Sequence, residues 1–501
     1  MKARSASVSN LLCKIFAVLF TVLFFWAFLT AVTQTALYDY YLPFALAPLL
    51  MLLLLLLWKR VRAFYHRIPA DALVRAFAIA CLVSFFAMLY TSYRLRLTFG
   101  VDTWDFSRLH IDAYNSATQK AGVNLLYYVK YKNNQLLLLV LSLLAEAVRW
   151  LAPGASSGVF HQCAMALNCV SILTAVVLCF CSVKAARGAH FAFLSSMFLL
   201  FYTPLWLYSP IYYTDTMGLP LIVLPVFLYT RLKDGKLLRN TLLFCLMGVV
   251  AAIGMKMKAS IVFVFIAICL CTLLLDRMRG KWIPALCGTV VLALCAVLLQ
   301  AGIDRALRID AEDYDAYGFP YSHWVMMSLG KNGGYDAELV TYTGSFYTME
   351  ERKEAVREKT KELLEARGFA GTAKHVFVTK MQHTWGNGSL SATYYLGREP
   401  AENGVFQRFF TQKGALFRGT FTWLQTGHLV LLFCVVLSGV SLFRRPEGGP
   451  LTVMRITVLG LLLFLLVWEC NARYLVHIAP FLVTVAADGI SALGRRPDRQ
   501  N

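Results

Sequence analysis

Apolar runs of about 17 to 23 residues follow one another along most of the chain, separated by short polar linkers. As helices rising about 1.5 Å per residue, runs of that length cross a hydrocarbon layer of ~30 Å. The pattern predicts about twelve transmembrane helices, at 13–33, 42–58, 72–92, 160–182, 189–207, 216–232, 239–255, 259–275, 282–302, 427–443, 451–469 and 474–491. The first run leads almost directly into the second without a convincing cleavage site, so it reads as a retained anchor.

One apolar segment, 134–150, is only about 17 residues long and carries Glu146 and Arg149. The linkers Lys59–Arg62, Lys184–Arg187, Arg231–Lys233, Arg277–Lys281 and Arg444–Arg445, and the tail Arg495–Arg496, are basic. Basic linkers stay in the cytoplasm. If 134–150 crossed, Lys184–Arg187 would move outside against that rule, so the segment is expected to lie on the outer surface as a juxtamembrane or re-entrant helix. Both termini then face the cytoplasm. The loop 94–133, the turns at Asp215, Lys256–Lys258 and Arg473, and a polar insert share the outer face.

The expected fold class is an all-α polytopic membrane protein in three parts. A transmembrane module at 1–302 carries an outer loop at 94–159, an extracytoplasmic and mainly helical insert occupies 303–426, and transmembrane helices with a cytoplasmic tail fill 427–501. Composition agrees: 58% of the 501 residues are hydrophobic, 15% are charged, and mean hydropathy is +0.59. The net charge of +20 does not indicate nucleic acid, because the cations cluster in linkers, where they orient the chain and attract anionic membrane lipids. The 13 cysteines are scattered through apolar runs with no CxxC pair, which supports neither a disulfide framework nor a zinc site.

The unusual polar residues gather on the outer face, so chemistry is expected there. Val101-Asp102-Thr103-Trp104-Asp105-Phe106 sets two carboxylates three apart beside a span, where an acid is costly unless it works. Such a carboxylate can take a proton from an attacking hydroxyl; Asp105 also suits a helix N-cap. Asp215, in Tyr212-Tyr213-Thr214-Asp215, is a second acid or the cap of the next span. Lys256 and Lys258 interrupt an apolar run from 242 to 275 and either meet a lipid-linked phosphate or snorkel. Arg473, in Glu469-Cys470-Asn471-Ala472-Arg473-Tyr474, can fork onto phosphate oxygens or pair with Glu469. Tyr213, Tyr474 and, in the insert, His323 and Trp324 are candidate contacts for substrate or acceptor. The insert's Gly333-Gly334 marks a tight turn, since no GxxxxGK[ST] nucleotide loop exists in the chain.

The stretch Asp105-Phe106-Ser107-Arg108-Leu109-His110-Ile111-Asp112-Ala113, with Tyr131-Lys132-Asn133-Asn134, carries a resemblance. It is similar to the Asp-Phe-Gly…Ala and Tyr-Pro-Asn-Asn elements of bacterial GT-C superfamily membrane glycosyltransferases, near the protein mannosyltransferase and aminoarabinose transferase group. Ser107 stands in place of Gly and Lys132 in place of Pro. The resemblance implies transfer of a hexose or pentose from a polyprenyl-phosphate-linked donor to an extracytoplasmic glycan, lipid or protein in the cell envelope. It implies Asp105 as general base with Asp102 as the competing assignment, Asp215 as the second acid, and Lys256 or Lys258 with Arg473 on the donor phosphate. That chemistry requires no cofactor, although a divalent Mg²⁺ or Mn²⁺ held by Asp102 and Asp105 would suit oxygen ligands. The rival reading is a transporter or flippase of a lipid-linked sugar or other anionic lipid. Transporters usually show repeated halves and polar groups at the midplane, and the sequence shows neither.

Overall fold

In lipid every backbone amide must be paired within its own segment, so the Leu-, Phe- and Val-rich runs fold as helices. The computed structural model describes residues 2–38, 41–100, 104–118, 122–276, 278, 280–444 and 448–492. Asp102 lies outside the described residues. Within them the only β pairing is an isolated antiparallel bridge between Leu97 and Pro400.

Three long helices open the chain, α1 (Lys2–Leu37), α2 (Leu42–Tyr65) and α3 (Ala70–Arg94), followed by shorter α4 (Asp105–Thr118), α5 (Leu125–Lys130) and α6 (Gln135–Leu151). Then come α7 (Ser157–Leu200), α8 (Thr203–Leu207), α9 (Thr214–Met217), α10 (Leu219–Tyr229), α11 (Leu237–Met257), α12 (Val262–Leu270) and α13 (Trp282–Leu307). α7 is two helices joined at Gly188, whose φ of +82° a side chain would resist. The insert runs from α14 (Ala311–Tyr317) to α20 (Val405–Phe410) and includes α17 (Met349–Lys374) and α18 (Lys380–Trp385). α21 (Phe417–Arg444), α22 (Pro450–Val467) and α23 (Ala479–Ala492) close the bundle.

Nine helices among the described residues are long and apolar enough to cross a membrane, and shorter apolar helices lie at Leu42–Trp58, Thr214–Tyr229 and Ala259–Leu275. Each of the twelve expected spans coincides with helix. The ninth long candidate is Lys132–Leu151, the segment expected to lie flat. Contacts at its two ends decide its path. At its start Gln135 donates to the Tyr128 carbonyl at 3.0 Å; at its far end the Arg149 guanidinium meets the carbonyl of Ala117, at the end of α4. Six residues past α6, Ser157 Oγ lies 2.7 Å from His110 Nε2 of α4. α7 descends from there antiparallel to α3, with Ser92 beside Cys169 and Phe77 stacked on Phe180 at 4.1 Å. Both ends of α6 therefore sit at the same end of the bundle. It buries the stripe Leu137, Leu138, Leu141, Ala145 and Val148, the i, i+3, i+4 face of an amphipathic helix.

Small residues let the spans approach closely. A Cβ on Gly248 of α11 would stand 2.4 Å from the Gly288 carbonyl of α13, and one on Gly489 of α23 would stand 1.9 Å from the Cys434 carbonyl of α21. At the bundle end away from the insert, Asp488 of α23 accepts Arg455 of α22 and lies 3.5 Å from Arg187 of α7. That buried cluster ties three helices together.

Candidate active site

Asp105 is the first residue of α4, and both of its carboxylate oxygens accept phenol hydroxyls. Oδ1 accepts the Tyr127 hydroxyl at 2.7 Å and Oδ2 the Tyr213 hydroxyl at 3.0 Å. Asn134 donates to the Tyr127 oxygen at 2.6 Å, so α5, the turn after it and the α9 approach converge on one acid. Burial, and then the adjacent Asp105 charge, push Tyr127 and Tyr213 well above the ordinary phenol range. Both hydroxyls therefore stay protonated and fix the carboxylate's orientation. An ionised carboxylate has about four lone-pair sites, which leaves Asp105 able to accept a further proton donor.

Asp215 is 1% exposed and sits between two cations. The Lys258 ammonium is in direct contact with Oδ1, and Arg473 Nε lies 3.4 Å from Oδ2. The Arg473 guanidinium is walled by the rings of Tyr213 at 4.7 Å, Tyr395 at 5.2 Å, Trp104 at 5.6 Å and Tyr474 at 5.7 Å. Lys258 lies over Tyr474 at 4.3 Å. One acid and two cations leave the cluster with a net positive charge in surroundings of low polarity, which favours an anionic ligand.

Between α22 and the turn holding Arg473, Trp468–Asn471 is not helical, and the insert clasps it. The Glu469 amide donates to the Trp324 carbonyl at 3.2 Å and the Cys470 amide to the Gly333 carbonyl at 2.8 Å. The buried Lys380 ammonium donates to the carbonyls of Leu466 and Trp468, both at 2.9 Å. Glu469 is buried beside this clasp and accepts the Tyr474 hydroxyl at 3.0 Å. Burial raises its carboxyl to about 7, against the opposing pull of that hydroxyl and of Arg473.

These groups open on a cavity of about 1360 Å³. Its lining includes Asp105, Glu469, Lys256, Lys258 and Arg473, whereas Asp215 stays behind the cations it holds. Leu461, Phe464 and Leu465 of α22 form part of the wall, beside the exposed Leu463 and Val467. A polar chamber thus adjoins the apolar surface of a span. Among the described residues no three His, Cys, Asp or Glu side chains gather as a metal site.

Residues 6–491 match the family described as conserved hypothetical integral membrane protein. The chain belongs to that family. It is a multi-pass membrane protein. No curated protein matches it. Among solved structures it is similar to the archaeal oligosaccharyltransferase AglB from Archaeoglobus fulgidus in complex with an inhibitory peptide and a dolichol-phosphate, at 12% identity and a TM-score of 0.41. That likeness covers 81% of this chain and 50% of the other, so the chain spans about half the length of the oligosaccharyltransferase. It is also similar to ArnT from Cupriavidus metallidurans bound to undecaprenyl phosphate, at 12% identity and a TM-score of 0.37, over 85% of this chain and 78% of that one.

Of the residues singled out in the sequence, Asp105, Tyr213, Lys256, Lys258, Trp324, Arg473 and Tyr474 line the one cavity. Lys256 donates to Gln300 of α13 at 2.8 Å, whereas Lys258 meets Asp215. His323 is not on the cavity wall: it is fully buried in the insert, 2.8 Å from Thr343 Oγ1. Arg473 pairs with Asp215 and not with Glu469, because the extended Trp468–Asn471 removes the helical spacing that would have joined them. Lys380 and the ring cage of Trp104 and Tyr395 carry no sequence signal that separates them from interface aromatics and surface lysines. Their roles come from contacts between residues up to about 370 positions apart.

Proposed function

We propose that the protein transfers a sugar from a polyprenyl-phosphate-linked donor to a hydroxyl-bearing acceptor on the extracytoplasmic face, the side assigned by the basic linkers. The observation that carries this reading is a carboxylate fixed by two protonated phenols in the same chamber as a cation pair backed by a buried acid. Asp105 accepts the proton of the acceptor hydroxyl as its oxygen attacks the anomeric carbon. The bond from that carbon to the phosphate oxygen breaks, and the departing lipid phosphate takes the electron pair. Lys258 and Arg473 stabilise the charge that develops there, and the Asp215 contacts hold both in place before the reaction begins. The donor's prenyl chain lies along the Leu461, Phe464 and Leu465 wall of α22. No step in this scheme uses a metal.

Purified protein supplied with polyprenyl-phosphate sugars and envelope extract should release polyprenyl phosphate. In Asp105→Asn, release should fall by roughly 10²- to 10⁴-fold while a photoreactive polyprenyl phosphate still crosslinks. Arg473→Ala should lose the crosslink. Normal turnover in Asp105→Asn would refute the base assignment, and undiminished crosslinking in Arg473→Ala would move the phosphate elsewhere.

A further inference from the structure

Beyond Lys258 and Arg473, whose charge is partly met by Asp215, the cavity is lined by Arg108, Lys130, Lys132, Lys256, Lys353 and Arg398. Facing these eight cations are only two lining carboxylates, Asp105 and Glu469. Lys353 has Glu350 at 3.1 Å and Lys256 has the neutral Gln300. Among the described residues, Arg108, Lys130, Lys132 and Arg398 have no carboxylate within 4.0 Å. Lys130 lies over the Phe319 ring at 5.6 Å and Lys132 over the Tyr314 ring at 3.6 Å, contacts that hold the ammonium groups without neutralising them. Two acids outside the lining act on these cations at longer range: Asp112, which accepts Tyr128 at 3.0 Å, on Arg108, and Asp304, which accepts Tyr314 at 2.6 Å and Gln300 at 2.8 Å, on Lys132 and Lys256; the cations still outnumber them.

The placement of these cations matters as much as their number. Arg108 is one helical turn beyond Asp105 on α4, and Lys130 and Lys132 flank Tyr131, between the Tyr127 and Asn134 that fix the Asp105 carboxylate. The surplus positive charge therefore lines the same cavity as the proposed base and the donor-phosphate cations. A cleft lined by one sign of charge concentrates ligands of the other. One lipid phosphate would neutralise the Lys258–Arg473–Asp215 cluster and leave the rest unmet. The volume also exceeds the ~300–1,000 Å³ of an ordinary small-molecule pocket, which leaves room for a second ligand.

We infer that the acceptor is an anionic polymer, bearing phosphate or carboxylate groups next to the hydroxyl that is glycosylated. This identity rests on the transfer reading, but the binding of the acceptor does not require turnover and is tested without it. Detergent-solubilised full-length protein is titrated into three fluorescent oligomers of equal length: poly(glycerol phosphate), polygalacturonate and neutral dextran. Anisotropy is read at low and high salt.

At least one anionic oligomer should bind, dextran should not, and binding should weaken as salt shortens the screening length from about 10 Å at 0.1 M to about 3 Å at 1 M. The Lys130→Glu/Lys132→Glu double variant should weaken it at least about tenfold. Exposed Arg398→Glu, which cannot disturb the core, should weaken it in the same direction. Asp105→Asn removes one of the two lining carboxylates, so it should bind the anionic oligomers at least as tightly as wild type while transfer is abolished, which separates this inference from the catalytic one. Dextran binding as tightly as the anionic oligomers, or anionic binding indifferent to both charge reversals, would overturn the proposal.

Discussion

Replacing Asp215 by Asn removes one negative charge from the site while keeping nearly the same shape. In the native protein that carboxylate is 1% exposed and stands between Lys258 and Arg473, so the cluster has two cations and one anion. In the variant an amide replaces the acid that both cations contact, in a place where Arg473 is 8% exposed. Removing one partner of a buried pair leaves an uncompensated charge, at a typical cost of about 3–5 kcal/mol. The effect should be carried by charge and not by packing, since Asn fills the same volume. A lipid phosphate supplies negative charge at the same point, so binding it should restore part of the loss. The assay is unfolding of the detergent-solubilised protein with and without polyprenyl phosphate, comparing the ligand-induced stabilisation of the two proteins. Asp215→Asn should be markedly less stable without ligand and should gain more from it than the wild type does. A variant within about 0.5 kcal/mol of wild type, or one with an unchanged ligand gain, would refute the electrostatic account of Asp215.

Three further outcomes follow from the geometry. Because burial raises the Glu469 carboxyl to about 7 from an ordinary 4.5, the folded state holds its proton where the unfolded state has lost it. That stability is present at acid pH and lost as pH rises through about 7, so Glu469→Gln should flatten the pH dependence of unfolding between about 4.5 and 7. Lys380→Met leaves the Leu466 and Trp468 carbonyls without their shared donor; it should cost about 1–3 kcal/mol and weaken polyprenyl phosphate binding through the loosened Arg473 turn. Gly489→Ala drives a methyl into the Cys434 carbonyl and should cost about 1–3 kcal/mol in unfolding experiments without altering the cavity.

The spans were legible because lipid imposes one requirement, internal pairing of the backbone, and the run lengths report it directly. For α6 two sequence rules disagree: the charge rule lays it flat, whereas length and hydropathy class Lys132–Leu151 with the crossing helices. Individual site residues were legible by type but not by partner. Lys256 and Lys258 look equivalent in the sequence, yet α11 ends at Met257, so Lys256 stays on the helix facing Gln300 while Lys258 turns toward Asp215. His323 looked like a contact residue because sequence cannot show that Thr343 and the Phe319 ring, 4.5 Å away, enclose it.

By itself, then, the sequence determined the membrane class, the order of the apolar helices, and a shortlist of costly polar residues beside them. Only the tertiary structure decided that Asp105 is held by Tyr127 and Tyr213, that Asp215 backs Lys258 and Arg473 from behind the cavity wall, and that the insert clasps the Glu469 turn. The physical reason is the range of the forces involved. Burial of apolar runs is set by local composition, whereas a hydrogen bond or ion pair depends on ångström-scale contact between segments that the chain keeps hundreds of residues apart.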